Sequence, residues 1–541
     1  MGEIKLLDCT LRDGGYINDW EFGHDNLVSV FERVTGAGVD VIEIGFLDER
    51  RNFDPNRSIM PDTDCVEKIY GRLSRKNTMV VGMIDYGTCG IEHIRPCAES
   101  FLDGIRVIFK KHLRKPAIDF CGQIKALGYK VFVQLVSITS YSDEELMDLI
   151  SLANDLKPYA VSMVDTYGLL HQNNLMHYFD ILEKELLPEI GIGYHSHNNF
   201  QMAYANCIEM LSHSRERMLL IDGSIYGMGK SAGNAPLELL AMHLNERYGK
   251  HYDISQILEA VDANIMPIFR LSPWGYNMFY FIAASNDCHP NYVSYLMDKG
   301  TLSIKDVNRI LKRIEGEDRL MYNSALIERL YMEYQDIDVD DTEMFESLKI
   351  LTAGRTILLL GPGLSIMNER DRIQNFLEEQ AEAPLIISVN FLPRDLRTDY
   401  IFLSNAKRYV QLATALTEVS APKVIATSNV TKTDGAFDYT LRYSSLIDPE
   451  AHGVCRDNSF IMLLKVMLKL SVKEVYLAGF DGYAGSLREN YIYQSMEYHF
   501  SDKQAEDTNR YTITALQEIR QQLECHFITD SLYQKTEQQH E

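Results

Sequence analysis

The sequence predicts an α/β protein: a TIM (β/α)8 barrel, then a helical segment, then a smaller Rossmann-like α/β domain. Three observations predict it. Eight short apolar runs alternate with longer helical patterns across the first half of the chain. Charged and polar residues gather after runs one, two, seven and eight, which adjoin one another when the eighth strand closes against the first. A fresh βα pattern then opens at Thr356-Ile357-Leu358-Leu359-Leu360-Gly361-Pro362-Gly363.

The eight runs are Ile4–Cys9, Val39–Phe46, Met79–Ile84, Gly104–Phe109, Lys130–Ile138, Ala160–Val164, Ile190–His195 and Leu219–Ile225. Most are rich in Val, Ile and Leu without strict polar alternation, the pattern of strands buried on both faces. Ser142-Asp143-Glu144-Glu145 starts one intervening helix with a serine cap and early acids. Periodicity alone also admits an open doubly wound sheet, and the placement of the polar residues favours closure. The barrel is assigned to residues 1–254. A helical extension and linker follow over 255–345, with an aromatic-rich start at Trp274–Phe281 that reads by default as core. The acidic run Asp336–Asp341 suits a solvated linker or the start of another helix. The Rossmann-like domain is assigned to 346–541, with further strands at Leu385–Val389, Tyr400–Leu403, Lys423–Thr427 and Glu474–Ala478.

At 541 residues the chain exceeds one ordinary core. With 46% hydrophobic and 24% charged residues it has the balance of a soluble globular protein. A net charge of -24 argues against nonspecific nucleic-acid binding and against attachment to anionic membranes. No apolar run approaches the ~20 residues that cross a bilayer, and the chain enters a strand without a signal peptide. The nine cysteines are scattered with no C-x-x-C pair, which reads as reduced thiols in a cytoplasmic protein. Cys9 reads as a small buried strand residue.

The opening strand ends in Thr10-Leu11-Arg12-Asp13-Gly14-Gly15, and charge at the end of a buried strand is costly unless paired or used to bind something. His195 and His197 are two apart, so on a strand they face the same way. Two imidazoles and the Asp13 carboxylate suit a divalent metal with open positions, or else the histidines are hydrogen-bonded within a loop. Arg12 is placed to stabilise negative charge on a substrate oxygen. Glu43, a carboxylate in an apolar strand, pairs with Arg12 either to support it or as a purely architectural bridge. Gly227-Met228-Gly229-Lys230-Ser231-Ala232-Gly233-Asn234 follows the eighth strand and carries a weak phosphate-loop signal, or forms a flexible lid. Asn234 is placed to touch the metal or its water, and Asp165 and Thr166 add polar groups to the same rim. Asn199 and Gly229 complete the substrate-side candidates.

These residues together resemble the DRE-TIM metallolyases, with the HMG-CoA lyase-like or pyruvate carboxyltransferase domain. That superfamily includes 4-hydroxy-2-oxovalerate aldolases, hydroxymethylglutaryl-CoA lyases and isopropylmalate synthases. Thr10–Gly14, Glu43, His195-Ser196-His197-Asn198-Asn199 and Gly229-x-x-Ala232-Gly233-Asn234-Ala235 occur in the family's order, within roughly residues 3–330. Ala235-Pro236-Leu237-Glu238 and Gly275-Tyr276 match the aldolase branch. The resemblance implies that Asp13, His195 and His197 bind Mn2+ or Mg2+, with Zn2+ or Co2+ as further choices. It implies that Arg12 polarises a 2-oxo acid such as pyruvate and that Glu43 holds Arg12. It adds Tyr276 to the catalytic candidates, an aldehyde as second substrate, and admits a homo-oligomer. Three departures mark this chain, one being that the aldolase branch's usual partner is an aldehyde dehydrogenase that receives its product, whereas the C-terminal region here looks like something else. The aldolase branch places a proton-transferring histidine where this chain has Tyr16, and a phenol of pKa about 10 is a poor base near neutral pH. The CoA-lyase branch uses a loop cysteine, and Gly223–Asn234 has none.

Residues 350–541 resemble the DUF115 and sialyltransferase-like Rossmann group, through Gly361-Pro362-Gly363-Leu364-Ser365 and Val475–Gly482. That resemblance implies a nucleotide or phosphate ligand at a helix start, or a tight turn without catalysis, and points toward sugar-acid or surface-polysaccharide biosynthesis. The leading functional expectation is a metal-dependent aldolase or lyase acting on a 2-oxo acid. The alternatives are an acyl-CoA-dependent Claisen-type synthase, a non-haem iron oxygenase and a non-catalytic metal-binding scaffold.

Overall fold

The apolar runs of the first half form eight parallel strands in the computed structural model, which describes residues 2–213, 216–432, 434–448, 451, 457–485, 490–496 and 500–537. They are β1 (Ile4–Asp8), β2 (Val41–Leu47), β3 (Met79–Asp85), β4 (Gly104–Phe109), β5 (Lys130–Val136), β6 (Ala160–Asp165), β7 (Gly191–Ser196) and β8 (Leu219–Gly223). Each pairs with its sequence neighbours, and β1 pairs with both β2 and β8. The ring is therefore closed, and the open-sheet alternative falls. A two-residue strand, Ile59–Met60, adds to β2.

The strands lack polar alternation because both faces are covered: all seven residues of β2 are buried. Residues two apart share a face, so Val41 and Glu43, Gly104 and Arg106, and Phe132 and Gln134 point into the barrel together. Leu7, Val41, Val81, Phe132, Ala160 and Leu220 form an apolar cluster at the amino ends of the strands. Toward the carboxyl ends the same rows turn polar. Between the strands run helices such as Asp143–Leu156, which begins with a reciprocal Ser142–Glu145 capping box.

The chain divides into two compact units, Met1–Pro290 and Asn291–Glu541. In the first, the aromatic stretch expected as core is largely exposed: Tyr276 is 58%, Met278 50% and Phe281 42% accessible. Helix Met278–Ser285 buries Ile282, Ala283 and Ala284 instead.

The second unit holds a parallel sheet of β9 (Ile357–Leu360), β10 (Leu385–Val389), β11 (Tyr400–Leu403), β12 (Lys423–Thr427), β13 (Tyr439–Leu441), β14 (Glu474–Ala478) and β15 (Glu524–Phe527). The order β13-β12-β11-β10-β9-β14-β15 is that of a doubly wound fold, with its direction reversing at β9. The five apolar strands fall where the sequence predicts them. The edge strands β13 and β15 went unpredicted because edge positions do not require an apolar run. Among the described residues no helix is long and apolar enough to cross a membrane.

Candidate active site

After β1 the chain does not stay extended. Thr10–Asp13 and Gly15–Asn18 form two short helical turns that fold Arg12 and Asp13 over the strand ends. A Cβ on Gly15 would lie 1.9 Å from Trp20, so glycine lets the indole pack there and donate its N–H to the Arg12 carbonyl at 2.8 Å. The Asp8 carboxylate accepts the Thr10 hydroxyl at 2.5 Å, and Thr10 Oγ1 in turn accepts the Ile225 N–H at 2.8 Å, tying the first turn to the last loop.

Asp13, His195 and His197 come together, with one ligand atom of each within 4.8 Å of the others. His195 Nε2 lies 3.8 Å from Asp13 Oδ1, and His197 Nε2 lies 3.4 Å from Asp13 Oδ2. The other ring nitrogens are engaged: His195 Nδ1 with Asp222 Oδ2 at 3.0 Å, and His197 Nδ1 with the Asp165 carbonyl at 2.9 Å. With Nδ1 as donor in both rings, each Nε2 keeps its lone pair. Both Nε2 atoms and Asn234 Oδ1 are buried without a hydrogen-bond partner. Unpartnered acceptors beside a carboxylate are the donor set of a divalent cation, so the residues fit a metal.

The charges agree with this. Burial pushes the Asp13 carboxyl up, but Arg12 and the two histidines outweigh it and hold it well below the usual carboxylate range. Burial also lowers His195 against the opposing pull of Asp222, which keeps the ring neutral. Arg12 pairs with Asp13 and donates from Nε to Glu43 Oε2 at 2.7 Å. Glu43 lies 3.1 Å from Arg106 Nη1, and Arg106 Nη2 donates to Asp222 Oδ2 at 2.5 Å and to Gln134 Oε1 at 2.9 Å. A buried chain thus runs Asp13–Arg12–Glu43–Arg106–Asp222–His195, beginning on one candidate ligand and ending on another. Three carboxylates face two guanidinium groups, an excess of negative charge suited to a cation.

Residues 3–263 match the HMGL-like family model. The match spans the whole barrel. Among its relatives is the oxaloacetate decarboxylase of Mycobacterium tuberculosis, 25% identical over 280 residues, covering 50% of this chain and 80% of that protein. Another is the 4-hydroxy-2-oxovalerate aldolase of Pseudoalteromonas translucida, 24% identical over 280 residues, covering 49% and 77%. The crystal structure of an HMG-CoA lyase from Bacillus subtilis is 16% identical and covers 50% of this chain and 94% of that one, at a TM-score of 0.41.

Within the barrel the remaining candidates divide. Asn234 donates from Nδ2 to Asp13 Oδ2 at 2.9 Å, and a Cβ on Gly229 would lie 2.6 Å from that same oxygen. Glycine there lets the loop lie directly on Asp13, whose Oδ2 also accepts the Lys230 N–H at 3.0 Å. The phosphate-loop expectation fails for this segment, because the Lys230 and Ala232 N–H groups are already given to Asp13 and Asn199. Asp165 accepts the Leu169 and Leu170 N–H groups at 2.8 and 3.0 Å, and burial raises it to about 6. Thr166 Oγ1 accepts the Ser137 N–H at 2.8 Å, and Asn199 Nδ2 donates to the Tyr167 carbonyl at 2.7 Å. The side chains of Asp165, Thr166 and Asn199 therefore brace the rim loops. Tyr16 packs edge-on against Trp20 and Phe46 at 4.9 and 6.3 Å. Its ring is 42% exposed, yet desolvation pushes its pKa up to about 12. Tyr276 is exposed, with its ring 6.3 Å from that of Phe281.

Sequence reasoning missed Arg106, Gln134 and Asp222. An ionisable residue inside the apolar runs GIRVIF and LLIDG is the same signal that singled out Glu43. In the second unit, the turn at Gly361–Gly363 leads to Ser365, whose N–H donates to Asp481 Oδ2 at 2.8 Å. A Cβ on Gly363 would lie 2.5 Å from that carboxylate, so an internal acid already fills the expected anion position.

Proposed function

We propose that the barrel is a divalent-metal-dependent carbon–carbon lyase of aldolase type, acting on a 2-oxo acid through pyruvate enolate chemistry. The observation that carries this reading is the buried chain from Asp13 to His195, with the free Nε2 atoms of His195 and His197 at its ends. Asp13, His195 and His197 would hold the ion, with Asn234 Oδ1 beside them. One carboxylate and two imidazoles accept Mn2+ or Mg2+, and Zn2+ or Co2+ also suit the imidazoles. When bound, such an ion supplies Lewis-acid polarisation of the 2-oxo group.

The chain's own residues do the rest. Arg12 is fixed between Glu43 and Asp13, and its Nη2 forms no hydrogen bond among the described residues. A guanidinium locked in this way faces developing negative charge without reorganising. In cleavage of a 4-hydroxy-2-oxo acid, the 4-hydroxyl gives its proton to solvent water, its oxygen forms the aldehyde C=O and the C3–C4 bond breaks. The C3–C4 pair becomes the C2=C3 bond and the 2-oxo π pair passes to its oxygen, leaving an aldehyde and the enolate opposite Arg12. The enolate then takes a proton at C3. Tyr16 keeps its proton at neutral pH and is the candidate donor for that step. The relatives named oxaloacetate decarboxylase and 4-hydroxy-2-oxovalerate aldolase support this reading, since both reactions break a bond to the carbon that becomes the pyruvate methyl.

Exchange of pyruvate methyl protons in D2O, followed by NMR with Mn2+, Mg2+, Zn2+ or Co2+, tests it. Metal-dependent exchange is expected, with cleavage of 4-hydroxy-2-oxopentanoate or decarboxylation of oxaloacetate. Absence of all three reactions with every metal overturns the proposal.

A further inference from the structure

The loop after β8 carries a cation that the reaction above does not use. Lys230 is pinned through its main chain: its N–H donates to Asp13 Oδ2 at 3.0 Å, and its carbonyl accepts the Gly233 N–H at 3.0 Å. Ser231 follows with φ of 60°, a conformation costly for a non-glycine residue. Gly229 precedes it where a Cβ would collide with Asn234 and Asp13. A strained, tightly packed loop thus fixes where this side chain leaves the backbone.

The ammonium stands between two aromatic rings, 5.4 Å from the centroid of Tyr16 and 5.9 Å from that of Tyr167. The side chain is half-buried, and among the described residues no carboxylate lies within salt-bridge distance of it, although Asp13 attracts it from further off. The other cations of this site are treated differently. Arg12 meets Asp13 and Glu43, and Arg106 meets Glu43 and Asp222. Ring faces attract a cation but do not neutralise it, and the Asp13 carboxylate that also acts on it is already engaged by Arg12 and both histidines, so a partly desolvated ammonium here favours an incoming anion.

We infer that Lys230 recognises an anionic group, carboxylate or phosphate, on the aldehyde half of the substrate. This rests on the 2-oxo acid aldolase reading, which already assigns the oxygens of the 2-oxo half to the metal ligands and Arg12. Tyr16, the candidate proton donor, lies against Lys230. A neutral short-chain aldehyde would leave the ammonium unpaired, whereas an acidic semialdehyde or a phosphorylated aldehyde would pair it. The acceptor is therefore an acid-bearing aldehyde.

Two measurements test this. In the first, pyruvate and metal are combined with propionaldehyde, succinic semialdehyde or glyceraldehyde 3-phosphate. Lys230→Met is expected to raise KM for the anionic aldehydes by about tenfold or more. It should leave KM for propionaldehyde unchanged, and Lys230→Arg should restore most of the loss. In the second, succinate and inorganic phosphate are titrated into the wild-type and variant proteins by calorimetry, which needs no turnover. Weaker binding in Lys230→Met, rescued by Lys230→Arg, supports the inference even if pyruvate exchange fails and the aldolase reading falls. The anion with the larger loss is the one recognised. Equal loss for neutral and anionic aldehydes, or succinate and phosphate binding indifferent to Lys230, overturns it.

Discussion

The two parallel sheets of this chain are built from similar apolar strands, yet their carboxyl ends are finished in opposite ways. In the second unit the polar groups there satisfy one another. Asn390 Nδ2 donates to Ser459 Oγ at 2.7 Å, Ser404 Oγ donates to the same atom at 2.7 Å, and Asp481 caps Ser365. The Ser388 hydroxyl also lacks a partner, but one hydroxyl holds no ion. In the barrel, guanidinium and carboxylate groups are stacked to the brim, and acceptors on His195, His197 and Asn234 remain unfilled around Asp13. Buried polar atoms are nearly always paired, so converging exceptions mark a ligand site better than fold or glycine turns do.

The largest expected effect comes from exchanging equivalent carboxylates in the two regions. Asp13→Asn should abolish metal retention, measured by elemental analysis after dialysis, and pyruvate exchange with it. The loss should exceed the roughly 10–100-fold that removal of a supporting group costs. Asp481→Asn, in the second unit, should leave both untouched. Metal retained by Asp13→Asn would break the contrast at its root.

Next in size is the chain behind the ligands. Arg106→Met removes the guanidinium shared by Glu43 and Asp222 and leaves two buried carboxylates short of a partner, which should destabilise the barrel by about 3–5 kcal/mol. Both tryptophans, Trp20 and Trp274, belong to the first unit, so denaturant unfolding followed by tryptophan fluorescence reads that unit alone. An unchanged midpoint would mean that the chain carries little stability.

The barrel was legible because its strands are buried on both faces and announce themselves as apolar runs. Asp13, His195, His197 and Arg12 were legible because charge at a strand end has few explanations, and Glu43 because a carboxylate inside an apolar run stands out. Arg106 and Asp222 were passed over inside such runs, where apolar neighbours hid them. Asp165, Thr166 and Asn199 show the reverse failure. Their position on the rim was readable, but the backbone groups they serve are set by loop geometry that no local pattern encodes. Tyr276 and its aromatic neighbours looked like core because composition reports apolarity and not which side of a helix faces out.

The smallest expected effect concerns a carboxylate in the barrel that no guanidinium meets. Asp8 is fully buried at the end of β1, and burial, opposed by the two Thr10 donors, raises it to about 7. A raised carboxyl binds its proton more tightly in the folded state. Stability is therefore full below the unfolded value of about 4 and falls as pH rises toward 7. At about 1.4 kcal/mol per pH unit, wild type should lose about 2–3 kcal/mol relative to Asp8→Asn between pH 5 and 8. Comparing the two proteins at each pH cancels the contributions of Asp165, which is raised like Asp8, and of Asp13, which is lowered. Tryptophan-monitored unfolding at pH 5, 6.5 and 8 measures the difference. A constant offset would mean that the barrel end tolerates charge at Asp8 as readily as at Asp13, and that the guanidinium pairs are not what keeps Asp13 and Asp222 ionised.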